Sequence, residues 1–169
     1  MSFRFKCVAC DEWHYGVPTF GADAPAQYYW ASEQERQERI DLGSDACVVD
    51  GERFLIRGCL EIPVKGETEP FMWGAWIDIN KRDFALFKSV YGVAQRKHVG
   101  PFAGYLATEI PTYPETFNLP AVAYLRDDGI RPYIEVSASD HPLHKEQCEG
   151  ITTSRVAEIY AHVMHGKVT

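Results

Sequence analysis

Residues 52–80, ERFLIRGCLEIPVKGETEPFMWGAWIDIN, decide the fold. Successive side chains of a strand point to opposite faces, so the stretch is read by parity. In its first half Phe54, Ile56, Gly58, Leu60, Ile62 and Val64 share one face, and Leu55, Arg57, Cys59 and Glu61 the other. In its second half Phe71, Trp73, Ala75, Ile77 and Ile79 oppose Met72, Gly74, Trp76 and Asp78. Each half has one apolar and one mixed face, the pattern of a sheet packed on one side only. Residues 65–70 are polar and include Gly66, which suits a hairpin loop. Trp73, Phe54, Ile56, Leu60 and Ile77 are expected to be buried together.

Outward from this ribbon the elements are shorter. Residues 3–8 alternate as a strand that runs into Cys7-Val8-Ala9-Cys10, and residues 11–27 read as irregular. Ser32-Glu33-Gln34-Glu35 is a capping box, opening a surface helix expected to reach Leu42 and stop at Gly43. Beyond the ribbon, Asn80 caps a helix whose apolar stripe is Phe84, Phe87, Val90 and Tyr91. Residues 102–110 read as a strand, and the prolines at 111, 114 and 120 forbid helix after it. Residues 121–126 and 130–137 form a second hairpin about Asp127-Asp128-Gly129. In the last helix Val156, Ile159, Tyr160, Val163 and Met164 recur at helical spacing before Gly166. The fold class is α+β: a twisted, mostly antiparallel sheet of about five to seven strands with helices covering one face. One domain is expected over residues 1–169, with residues 1–25 as a knuckle-like segment packed on it.

At 169 residues the chain can bury a core without staples. Its net charge of −7, with no basic run, disfavours nucleic acid and anionic membrane as partners. The start, MSFRFKC, lacks the apolar run of a signal peptide, and no stretch approaches membrane-spanning length. A cytoplasmic protein is expected, in which five cysteines serve as thiols or metal ligands rather than disulfides.

Cys7-x2-Cys10 is the sharpest chemical signal, because two cysteines on a tight turn can place both thiolates on one tetrahedral ion. Zinc, two ordinary cysteines and a redox pair all fit the spacing. The redox reading lacks the strand–CxxC–helix context of thioredoxin. A closed zinc site needs two further ligands, for which His14, Cys47, Cys59 and the His141/His144 pair are candidates. His14 lies four residues on, and Cys47 sits in Ser-Asp-Ala-Cys just before the ribbon.

These motifs continue through Ile-Arg-Gly at 56–58, Glu-Ile-Pro-Val at 61–64 and Trp-Gly-Ala-Trp at 73–76. Arg131-Pro132, His141-Pro-Leu and Gln147-x2-Gly-Ile151 follow. Together they resemble the bacterial family catalogued as domain of unknown function 2199, over roughly residues 3–160. The resemblance implies a Gly after the second cysteine, where this chain has Asp11, and it implies no reaction.

Parity sets out a second constellation. Arg57, Glu61, Trp76 and Asp78 share the mixed face, and Arg131 and Tyr133 join it if their strand lies in the same sheet. Such a face is either a ligand or partner site or a set of charges paired across strands. The leading functional reading is a non-catalytic cytosolic binding module, zinc-stapled, for a protein partner with a basic surface. An immunity-type toxin inhibitor is one form of it. The alternative is a small enzyme using His141 with Glu61 or Asp78 as acid and base.

Overall fold

The computed structural model describes residues 2–166. Along them run β1 (Arg4–Lys6), β2 (Trp13–Tyr15), β3 (Thr19–Phe20), α1 (Ala26–Trp30), α2 (Glu33–Arg39), β4 (Ile40–Leu42) and β5 (Ala46–Val49). There follow β6 (Arg53–Ile62), β7 (Phe71–Ile79), α3 (Lys81–Ser89), β8 (Phe102–Leu106), β9 (Pro120–Tyr124), β10 (Tyr133–Val136), α4 (Pro142–Glu149) and α5 (Thr153–His165). The expected ribbon forms: β6 and β7 pair antiparallel from Phe54 opposite Ile79 to Ile62 opposite Phe71. Ile56, Leu60, Trp73 and Ile77 lie in one core with Val156 and Ile159 of α5, while Phe54, Tyr160 and Val163 pack against it half-buried. The parity therefore holds.

The second edges of the ribbon turn the sheet into a ring. β7 pairs antiparallel with β8, β8 with β9, and β9 with β10. β10 then returns to β6 in parallel, with Tyr133 opposite Cys59 and the Cys59 N–H donating to the Pro132 carbonyl at 2.7 Å. Gly58 makes this seam possible, since a Cβ there would stand 2.7 Å from both the Pro132 oxygen and the Ile134 side chain. The first half of β6 also pairs with β5, which carries β4, and β3 adds to β7 in parallel. The α+β class stands, but a twisted, mostly antiparallel sheet is not exact, because the strands close a circuit through a parallel seam.

Helices on one face alone do not describe it either. On the ribbon's outer face Leu55 and Trp76 are buried with Cys47, Val49 and Ala107, and Ala22, Ile40, Leu42 and Phe117 pack over them. The Trp76 indole N–H donates to the Ala22 carbonyl at 2.9 Å, and Ala26 N–H donates to the Ala107 carbonyl at 2.8 Å. The chain before α1 thus lies across the tryptophan as a lid of backbone.

Two helix readings change. The capping box at Ser32 and Glu35 forms, but the helix ends at Arg39. Residues 40–42 pair with β5 instead, because there Ile40 and Leu42 reach the outer apolar cluster. Residues 142–149, given no helix in the sequence reading, make α4, with Pro142 at its first position and His141 as N-cap. No helix among the described residues is long and apolar enough to cross a membrane.

Candidate metal centre

β1 and β2 form a hairpin in which Phe5 stands opposite His14. Between them the chain turns back on itself: Asp11 N–H donates to the Cys7 carbonyl at 3.0 Å, and Cys7 N–H to the Glu12 carbonyl at 2.8 Å. Asp11 has a φ of 63°, in the left-handed region that glycine adopts most freely and aspartate tolerates. The knuckle therefore keeps its shape with Asp11 in place of the expected glycine. Burial raises the Cys7 thiol, but the N–H groups of Cys10 and Ala9, aided by the Cys10 thiol, outweigh it and hold Cys7 below its ordinary value. At Cys10 the Glu12 N–H pulls the other way, yet burial and the Cys7 sulfur prevail and hold that thiol up.

The donor atoms of Cys7, Cys10 and His165 lie within 4.8 Å of one another. His165, at the end of α5, thus meets a turn near the other end of the chain. His14 is beside them, its Nε2 3.6 Å from the Cys10 sulfur. Its ring packs on Phe5 and on Tyr160, with centroids 5.4 and 4.4 Å apart, and Tyr160 also flanks His165 at 6.2 Å. Cys7, Cys10 and His165 could hold a metal ion, and aromatic packing orients both imidazole rings.

Cys47 is not brought to this centre. It lies on β5 opposite Leu55, buried in the outer cluster with Trp76, where burial pushes its thiol up to about 11. The turn before β5 feeds Cys47 onto the face away from Phe5 and Tyr160, which belong to the inner core.

The polar face also divides. Trp76 is fully buried and offers no surface. Arg57 reaches Asp23 at 3.1 Å and the Ser44 carbonyl at 3.3 Å, while Arg131 reaches Asp45 at 2.8 Å. Both arginines therefore fasten the same turn before β5. Glu61 pairs with Arg126 at 2.5 Å, Asp78 with Arg53 at 3.5 Å, and the Tyr133 hydroxyl accepts from Gln147 at 3.3 Å. The charged side chains pair across and beside the strands.

His141, expected to act with Glu61 or Asp78, takes other partners. His141 Nδ1 accepts from Leu143 N–H at 3.1 Å, and Nε2–H donates to the Pro114 carbonyl at 2.6 Å, so both nitrogens are engaged. Glu61 and Asp78 stand near opposite ends of the ribbon, opposite Met72 and Leu55 respectively.

Asp78 instead borders a cleft of about 640 Å³ between α1–α2 and the outer sheet, together with Gln27, Trp30, Arg53, Tyr105 and Phe117. Burial holds the Asp78 carboxyl above the usual range, against opposing pulls from Arg53 and the Phe54 N–H. The Gln27 Oε1 is buried with no hydrogen-bond partner among the described residues, and Trp30 and Tyr105 are each 55% exposed.

A family model described as uncharacterised protein conserved in bacteria (DUF2199) matches residues 6–151. The chain belongs to this family. No curated protein and no solved structure matches it. The DUF2199 match takes in Cys7, Cys10 and His14 and ends before α5, so His165 lies outside it. From sequence His165 reads as a surface cation suited to a helix C-terminus. Its one other signal is its place at the end of the most regular amphipathic helix, in a chain whose CxxC lacks ligands. Gln27, Trp30 and Tyr105 carry no pattern that marks a cleft.

Proposed function

We propose that this DUF2199 protein is a non-catalytic cytosolic binding module whose N-terminal hairpin is stapled to α5 by zinc. The observation that carries the reading is the meeting of Cys7, Cys10 and His165 within 4.8 Å. With His14 as the remaining ligand, all four tetrahedral positions would come from the protein. A site closed in that way holds structure together and has no vacancy for a substrate, which supports a binding role over a catalytic one.

For the partner, the net charge of −7 supports a basic protein surface, and the cleft beside Asp78 offers it a receptor. A carboxylate whose charge is poorly solvated gains most from a cation brought to it, and Trp30 and Tyr105 supply contact area. An immunity-type inhibitor of a basic toxin would use such a cleft.

Elemental analysis of protein purified without added metal tests the staple. One zinc per chain is expected, lost in Cys7→Ser and His165→Ala and retained in Cys47→Ser. Metal-replete protein without zinc overturns it. Calorimetric titration with a lysine-rich peptide and its acetylated form tests the partner. Preference for the cationic form, weakened by Asp78→Asn, supports the reading, and equal affinity for the two forms removes it.

A further inference from the structure

Four of the five cysteines are accounted for: Cys7 and Cys10 at the candidate metal centre, Cys47 and Cys59 buried in the fold. Cys148 is the exposed one, and it has a partner. It stands one helical turn after His144 on α4, with its sulfur 3.4 Å from His144 Nε2. His144 Nδ1 lies 2.6 Å from the Val136 carbonyl. A carbonyl only accepts, so Nδ1 carries the ring proton and Nε2 turns a lone pair toward the thiol. A nucleophile, a base in reach of it and a third group orienting the base are the parts of an activated thiol.

Cys148 lies in the last turn of α4 and becomes a nucleophile as His144 takes its proton. Thiol–disulfide exchange asks for no more than this: an accessible sulfur, a proton acceptor and a leaving thiolate.

We propose that Cys148 is a reactive thiol, activated by His144, that forms mixed disulfides with low-molecular-weight disulfides. In the step, His144 Nε2 accepts the Cys148 proton and the sulfur attacks one sulfur of the incoming disulfide. A new S–S bond forms as the old one breaks. The departing thiolate takes the proton back from His144, so one disulfide and one thiol become one mixed disulfide and one thiol. This site is separate from the metal centre and the cleft.

The test is the rate of reaction of the native protein with 4,4′-dithiodipyridine, with the modified residue located by peptide mass spectrometry. Cys148 is expected to be modified first, and His144→Gln is expected to slow it on the order of tenfold or more with unchanged melting temperature. A merely structural histidine would move the melting temperature instead. Should His144→Gln fail to fold, the wild-type rate is compared with that of N-acetylcysteine at the same pH, and faster reaction at Cys148 is expected. Equal rates in wild type and His144→Gln, or a Cys148 no faster than N-acetylcysteine, overturn the proposal.

Discussion

Gln147→Leu tests how the ring is held shut. The parallel seam between β6 and β10 has one ladder pair, Tyr133 opposite Cys59. Gln147, on α4 and 7% exposed, supplements it from the side. Its Oε1 accepts from Val136 N–H at 2.9 Å, and its Nε2 donates to the Ile134 carbonyl at 2.8 Å. Longer contacts of 3.3 Å reach the Glu61 carbonyl on β6 and the Tyr133 hydroxyl. Leucine nearly keeps the volume and removes every one of these bonds. The two short ones leave a buried donor and a buried acceptor unpaired, at roughly 1–3 kcal/mol each. Burying the leucine side chain offsets about 1–2 kcal/mol of this. The net loss is then about 2–3 kcal/mol, which for a chain of this size lowers the melting temperature by about 4–12 °C. Thermal unfolding followed by circular dichroism measures the loss, and hydrogen exchange at Val136 N–H shows whether the seam opens. A fall below about 2 °C with Val136 still protected would refute the reasoning.

Trp73→Ala removes a large side chain from among Phe20, Phe71 and Tyr113, and a loss of about 3–5 kcal/mol in urea unfolding is expected. Asp78→Asn should stabilise the protein at neutral pH. Burial first of all holds this carboxyl up, so folding favours its protonated form. The ionised form costs stability as pH rises through the folded value, and the cost vanishes below the ordinary value near about 3.9. Urea midpoints should therefore favour Asp78→Asn at neutral pH and converge below about pH 4, whereas a pH-independent advantage would contradict the burial argument. His141→Ala should cost about 1 kcal/mol through loss of the α4 cap, read from the same midpoints.

Parity makes the ribbon legible because one wholly apolar face admits one register. Trp76 shows where parity stops. It marks the residue as outward-facing but says nothing of what crosses it, and residues 22–26 cover it with alanines and backbone that carry no periodic signal. Ring closure is equally silent. A seam of one pair needs no alternation, and its one mark is Gly58, whose missing Cβ reads from sequence as a weak spot in a strand. At the metal centre the spacing of Cys7, Cys10 and His14 is local and therefore visible. The approach of His165 spans almost the whole chain and is set by the packing of α5. Cys47 looks like a ligand on spacing alone, and the turn that Arg57 and Arg131 fasten sends it to the opposite face. His141 looks like a base until its helix is known, since Pro142 can break a helix or begin one.

The meeting of Cys7 with His165 has a mechanical consequence. A tension applied at Cys7 and His165 acts across a gap of a few ångströms rather than along the barrel. The Phe5–Tyr160 contact, with centroids 5.1 Å apart, and the His14 ring packed on both share that load. β6 and β7 carry none of it until those contacts part. Pulling from the two ends should thus give a first rupture that peels β1–β2 from α5, stiffer with metal bound, before any shear of the central ribbon.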